Sequence, residues 1–341
     1  MSFSIPNPSR LYALLLRLRP LDTGTIMPFS GELVHGAWLE WVRQAAPDVA
    51  ATLHDGNRRR LFTCSSLQFP LPRSRVLQAE RDNTHLPLDP RKTYTIRLTL
   101  LLGELFPLFY NSLMVFNSAE SGGTKPPFIR IGKQVFLLEE VLSSPDDVSG
   151  WTGYTSFAAL VEKVAAMKLG PNQALALHFD SLTTFNWRSP LNDRYGNHYA
   201  KLPLPGYVFP GLARRWRDLA PPELAGVVQK ERVERYIEEE GMVVEDYDLR
   251  THRVQFVGNP QVGFLGTCSY LLRGPDEHTT PDAPLTVGQS GYPQGVSLHV
   301  GGTQPIAPLT VRQQILLLAQ FAFYCGVGYK TPMGMGRVRM L

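Results

Sequence analysis

The chain has 341 residues, of which 34 are Lys or Arg and 30 Asp or Glu, and its formal charge of +4 includes no basic block of the kind that marks a nucleic-acid binder. Hydrophobic residues make up 43% of it, enough for two packed cores and too many for a chain disordered throughout. The charge is unevenly placed: Asp282 is the last carboxylate, and after it only Arg312, Lys330, Arg337 and Arg339 carry charge.

Cys64, Cys268 and Cys325 lie far apart, with no CxxC pair and no secretory leader ahead of Leu11. A disulfide framework and a cysteine zinc site are therefore not expected, and a cytoplasmic setting is. No apolar run approaches the roughly 20 residues of a membrane helix.

In chain order, residues 11–20 read as a strand with arginines on one face and leucines on the other. A helix follows, with Ser30 placed to cap it and Glu32 complementing the positive end of its dipole. Leu33, Val34, Ala37, Trp38, Trp41 and Val42 form its apolar stripe before Pro47. Strands are expected over 62–69 and 93–102, a helix over 106–116, and a fourth strand over 128–138 with a Gly-Lys turn inside it. A helical stretch at 156–167 and the turn Gly170-Pro171-Asn172 put a domain boundary near residue 150, dividing the chain into 1–150 and 151–341.

The second half repeats the pattern: a strand at 174–185, a helix at 208–219, a hairpin of 243–257 and 262–272, an apolar helix at 311–324 and a short strand at 337–340. Two successive βαββαβ orders predict an α+β protein of two tandem ferredoxin-like (RRM-like) domains, each a four-stranded antiparallel sheet backed by two helices. Residues 274–308, rich in Gly, Pro, Ser and Thr, read as a surface insertion, and the acidic stretch 231–248 as a solvated face.

The most specific feature is the run Gly326-Val327-Gly328-Tyr329-Lys330-Thr331-Pro332-Met333-Gly334-Met335-Gly336-Arg337. Its glycines permit close backbone approach and can present N–H groups to phosphate oxygens. It is not a Walker loop, because no GK[ST] ends it and the helix precedes it.

With this run the sequence resembles the CRISPR-associated endoribonucleases of the Cas-six type, whose C-terminal signature is a paired GxG, a basic spacer and a second GxG before the last strand. Residues 35–63 (HGAWLEWVRQAAPDVAATLHDGNRRRLFT) resemble that family's first helix, the Leu-His after it and the basic turn into a Phe-Thr strand. Residues 202–219 and 256–272 are similar to its second-domain helix and hairpin. The resemblance implies a metal-independent endoribonuclease, with no cofactor, that cleaves precursor CRISPR RNA within its repeats. The 2′-hydroxyl attacks the adjacent phosphorus, leaving a 2′,3′-cyclic phosphate and a 5′-hydroxyl.

Such chemistry needs two proton transfers and a cation to stabilise the phosphorane. Histidine suits the first task and arginine the second. By resemblance His54 is the general acid or base, with Arg60 and Arg58 as electrostatic helpers and His35 as a second histidine. RNA binding is expected from Gly326, Gly328, Lys330, Gly334, Gly336, Arg337 and Arg339, with Arg59 and Arg73, and with Arg75 extending the track. Arg188, Arg194 and Lys201 are weaker candidates for contact with the repeat. The scattered histidines show no HxH or HExxH spacing, so no metal site is expected. The partner implied is CRISPR repeat RNA, with effector-complex subunits or a second copy as further partners. The competing reading is a non-catalytic RNA-binding subunit of a CRISPR effector complex, which would have no use for His54 and its arginines.

Overall fold

The computed structural model describes residues 10–49, 61–110, 127–187, 198–256, 259–274 and 308–341. The first domain contains β1 (Arg10–Pro20), β2 (Gly24–Ile26), α1 (Gly31–Ala45), β3 (Phe62–Cys64), α2 (Arg73–Arg81), β4 (Leu86–Leu88), β5 (Tyr94–Leu100), β6 (Phe128–Ile131), β7 (Gln134–Leu142) and β8 (Gly153–Ser156). Its sheet runs β3-β5-β1-β7-β6, with β8 also paired to β1. β1 thus lies between β5 and β7 and is antiparallel to both, as a ferredoxin-like sheet requires.

The second domain contains α3 (Phe157–Ala165), β9 (Gln173–Thr183), β10 (Phe185–Trp187), β11 (His198–Ala200), α4 (Pro205–Leu219), α5 (Pro222–Ala225), α6 (Lys230–Glu238), β12 (Met242–Gln255), β13 (Pro260–Leu272), α7 (Val311–Cys325) and β14 (Val338–Met340). Its sheet is β12-β13-β9-β14, the same arrangement with β9 in the place of β1. The α+β fold of two ferredoxin-like domains read from element order is the fold observed.

Periodicity accounts for the two main cores. Leu14, Leu16 and Leu18 on β1 meet Val34, Trp38, Trp41 and Val42 of α1 in the first. Leu175, Leu177 and Phe179 on β9 meet Val208, Leu212 and Trp216 of α4 and Leu317 and Phe321 of α7 in the second. Trp216 packs edge-on against both Phe157 and Phe321, and its removal would cost about 3–5 kcal/mol. The three cysteines are free and buried.

The arginine face of β1 is not uniformly polar. Arg17 pairs with Glu140 at 2.7 Å and Arg19 with Glu139, but Leu11 and Ala13 are buried in the second domain's core. β1 therefore serves both domains. A smaller cluster of Phe29, Leu182, Val254, Phe256 and Met335 joins them, and a buried pair, Glu80 on α2 and His252 on β12 at 2.6 Å, adds a polar contact.

The structure refines or corrects several expectations. The Gly-Lys turn expected inside the fourth strand is present, and with Gly132 at φ +62° it makes that strand a hairpin of β6 and β7. Ser30 is the N-cap of α1, but its Oγ accepts from the Leu67 amide at 2.9 Å and so anchors a neighbouring segment rather than the helix end. The acidic stretch is a solvated face as read: it forms α6 and the start of β12, Val233 turns inward, and its carboxylates are exposed apart from the half-buried Glu234. The strand expected at 62–69 ends at Cys64, and α2 was not legible because its nine residues carry few apolar side chains. The helix expected at 106–116 is seen over 105–110, and its remainder and most of 274–308 lie outside the described residues. Among the described residues no helix is long and apolar enough to cross a membrane.

Candidate functional site

The glycine-rich run starts where α7 ends. Gly326 caps that helix at φ +68°, and Gly328, Gly334 and Gly336 also have positive φ. Arg215 of α4 closes over the helix end: Nη1 donates to the carbonyls of Cys325 and Gly326 at 2.5 and 3.1 Å, and Nη2 to that of Gly328 at 2.9 Å. A cation suits this position because the last carbonyls of a helix are unpaired and carry its negative dipole end.

The loop is sewn into both domains. The amides of Gly326, Val327, Tyr329, Gly334 and Gly336 donate to the carbonyls of Ala322, Gly336, Thr184, Cys64 and Leu182 at 2.8–3.1 Å, and that of Arg337 to Ser181 Oγ at 2.8 Å. These amides are engaged within the protein. The glycines are there for close approach. A Cβ on Gly328 would stand 2.4 Å from the Thr184 carbonyl oxygen, and one on Gly31 of α1 would stand 2.1 Å from that of Met333.

That contact with α1 brings His35 to the loop. His35 Nδ1 lies 3.1 Å from the Pro332 carbonyl oxygen, and its ring stacks on Phe62 with centroids 5.4 Å apart. A carbonyl can only accept, so Nδ1 carries the proton and Nε2 of the neutral ring is left with the lone pair. One turn earlier on the helix, Glu32 Oε1 is 4.0 Å from Lys330 Nζ, which sits 3.8 Å from the centroid of Phe256. Lys330 itself adopts the left-handed conformation at φ +53°. An imidazole, a carboxylate and an ammonium are thus gathered where the two domains meet.

The other tail cations behave differently. Arg312 is buried and donates to the carbonyls of Gly170 and Gly274. Arg337 pairs with Asp180, and Arg337 and Arg339 each stand 4.9 Å from the Trp151 ring centroid. Arg97, also buried, stacks 4.4 Å from Phe323 and donates to the carbonyls of Trp151 and Phe323 at 2.7 and 2.8 Å. Arg73 donates to the Asp180 carbonyl. Burial opposes ionisation of Asp180, yet Arg337, a hydrogen bond with His178 and the charge of Arg73 hold its carboxyl well below the usual carboxylate range. Burial, reinforced by Arg337, pushes the Arg97 guanidinium down to about 9. Arg337 and Arg339, both half-buried, thus flank Trp151. Arg75 and Lys201 are exposed.

His54, Arg58, Arg59 and Arg60, like Arg188 and Arg194, lie outside the described residues. Arg215, Glu32, Trp151 and Asp180 were not singled out as functional in the sequence. Arg215 had a signal, since a double arginine sits on a helix whose opposite face is apolar, but the loop it holds lies far along the chain. Among the described residues no group of three His, Cys, Asp or Glu could hold a metal ion.

The fold and this junction define a tandem ferredoxin-like protein whose glycine loop completes the interface between its domains. The family description "CRISPR Cas6 N-terminal domain" matches residues 10–162, and "CRISPR-associated endoribonuclease Cas6" matches residues 177–338. Together these matches take in both domains, and the chain belongs to the Cas6 family. Among solved structures it is similar to a Cas6 product complex, with 23% identity, TM-score 0.63, and coverage of 98% of this chain and 100% of that one. A second Cas6 product complex has 22% identity, TM-score 0.58, and coverage of 97% and 99%. Thermus thermophilus Cas6 has 22% identity, TM-score 0.56, and coverage of 98% and 100%. No curated protein matches the chain by sequence.

Proposed function

We propose that this protein cleaves CRISPR repeat RNA without a metal ion. In this reaction a ribose 2′-oxygen attacks the neighbouring phosphorus, and the 5′-oxygen leaves. The products are a 2′,3′-cyclic phosphate and a 5′-hydroxyl. The observation that carries the reading is the His35 contact with Pro332, because it aims one imidazole at the junction and sets its tautomer. With Nδ1–H held by the carbonyl, Nε2 accepts the proton of the attacking 2′-hydroxyl. Lys330 supplies positive charge for the phosphorane oxygens, and the Phe256 ring under its ammonium holds it in place.

The leaving 5′-oxygen needs a proton. His54 remains the proposed donor, and Arg58 and Arg60 the electrostatic helpers. Their segment leads directly into Phe62, the residue on which His35 stacks. Against the order expected from sequence, His35 takes the first place among the two histidines, since the junction gathers it with Glu32 and Lys330. RNA is also the proposed partner because the family matched over residues 177–338 is described as a CRISPR-associated endoribonuclease.

The test is incubation of purified protein with labelled CRISPR repeat RNA in EDTA. Cleavage giving cyclic-phosphate ends, lost in His35→Ala with RNA binding retained, supports the proposal. Undiminished cleavage in His35→Ala would remove that residue from the chemistry. Binding without cleavage by the unaltered protein would favour a non-catalytic RNA-binding subunit.

A further inference from the structure

Behind the glycine loop, a cavity of about 210 Å³ opens between the domains, and Ser66, Gln68, Arg73, Trp151, Asp180 and Arg337 are among its walls. Several residues of its wall carry buried donors without a hydrogen-bond partner: Nε and Nη1 of Arg337, Nε2 of Gln68 and Oγ of Ser66. Leaving such a group unpaired is unfavourable, more so when it is charged, and here four of these atoms belong to residues around one space.

The charge distribution points the same way. Arg73, Arg97, Arg337 and Arg339 converge on this junction, and Asp180 answers only part of that charge. The other carboxylate on the cavity wall, Glu80, is taken by His252. Buried positive charge in excess of its counter-charges is costly, and the natural remedy is an anion rich in acceptor oxygens. Each wall residue plays a distinct part: Arg337 is planar and already fixed by Asp180 and Trp151, Gln68 and Ser66 offer neutral donors, and the exposed Arg73 stands at the mouth.

We propose that this cavity is a phosphate-binding site, with Arg337, Gln68 and Ser66 donating to the oxygens of one phosphate group. It is separate from the place where His35 acts. Gly334 lines the cavity, whereas His35, held by Pro332, is not among its walls. The proposal rests on the RNA-cleavage reading only for the source of that phosphate, which is either a backbone phosphate of a bound strand or a free anion.

Thermal unfolding of the full chain in sodium chloride and in sodium phosphate of matched ionic strength tests it. Saturating phosphate is expected to raise Tm by about 2–4 °C. The double variant Ser66→Ala, Gln68→Leu removes donors that are unpaired in the free protein, so its Tm in chloride should hold or rise while the phosphate increment disappears. The general stabilising effect of phosphate on folded proteins would act on both proteins alike and is thereby subtracted. A dT 12-mer, which has phosphodiesters but no 2′-hydroxyl to attack, then separates the sources. Displacement of the 12-mer by phosphate, together with weaker 12-mer binding in the double variant, assigns the site to a strand. A phosphate increment without such competition assigns it to a free anion. No increment, or the same increment in both proteins, would overturn the proposal. The His35→Ala protein should keep the full increment, so the fate of the cleavage reading is read separately.

Discussion

The Pro332 carbonyl accepts from His35 Nδ1 at 3.1 Å, tying a helix near the start of the chain to the loop near its end. The contact joins one domain's candidate base to the other domain's framework, so whatever disturbs the loop also disturbs the imidazole. His35→Ala is expected to lower the single-turnover cleavage rate by about 10²–10⁴, the usual contribution of a positioned acid or base, with RNA affinity within about twofold of the original. A filter-binding measurement beside the cleavage assay distinguishes the two quantities. His54→Ala, run in parallel, should give a loss of similar size if the two histidines divide the proton transfers.

Lys330→Ala should weaken RNA binding evenly across sequences and reduce the slope of log K against log salt by about 0.7–1, as expected for the loss of one phosphate contact. An unchanged slope would mean that the ammonium, already close to Glu32 and Phe256, is an internal tie and not a phosphate ligand.

Arg215→Met leaves the carbonyls of Cys325, Gly326 and Gly328 without their cation. Urea unfolding should show a loss of about 2–3 kcal/mol. Arg215→Lys should restore part of it, because an ammonium keeps the charge but lacks the fork that reaches three acceptors.

Two glycines on the same helix should respond oppositely. Nothing lies within 4 Å of a Cβ built on Gly36, so Gly36→Ala should stabilise by about 0.5–1 kcal/mol through helix propensity. At Gly31 the obstacle is the backbone of Met333 and Gly334, so Gly31→Ala must push the loop off α1. It should destabilise by about 1–3 kcal/mol and carry a cleavage defect with it.

Asp180 makes the domain junction sensitive to acid. Its carboxyl is held below the ordinary value in the folded protein and returns to about 3.9 when unfolded. The stabilisation is therefore complete above roughly pH 4–5 and declines as pH falls below that toward the folded-state value. Urea midpoints measured from pH 6 to pH 3 should fall less steeply in Asp180→Asn, which starts lower at pH 6 but no longer titrates.

Element order, the apolar stripes of α1 and α7, and the alternation in β9 are local properties, and they were enough to predict two ferredoxin-like domains. The glycine run was legible as a feature with a purpose. Glycine spacing reveals that backbone must approach something closely, and it does not name what approaches. Here that partner is protein: Thr184, Cys64 and the start of α1.

The same limit applies to charge. Sequence alone established that the positive excess lies beyond Asp282, and that His35 and Lys330 exist to be used. Which arginines end inside the protein was decided by folding, because burial of Arg97, Arg312 and Arg337 depends on carbonyls, rings and a carboxylate brought from distant positions. Folding also set His35 against Pro332, 297 positions away, a pairing that no local pattern encodes.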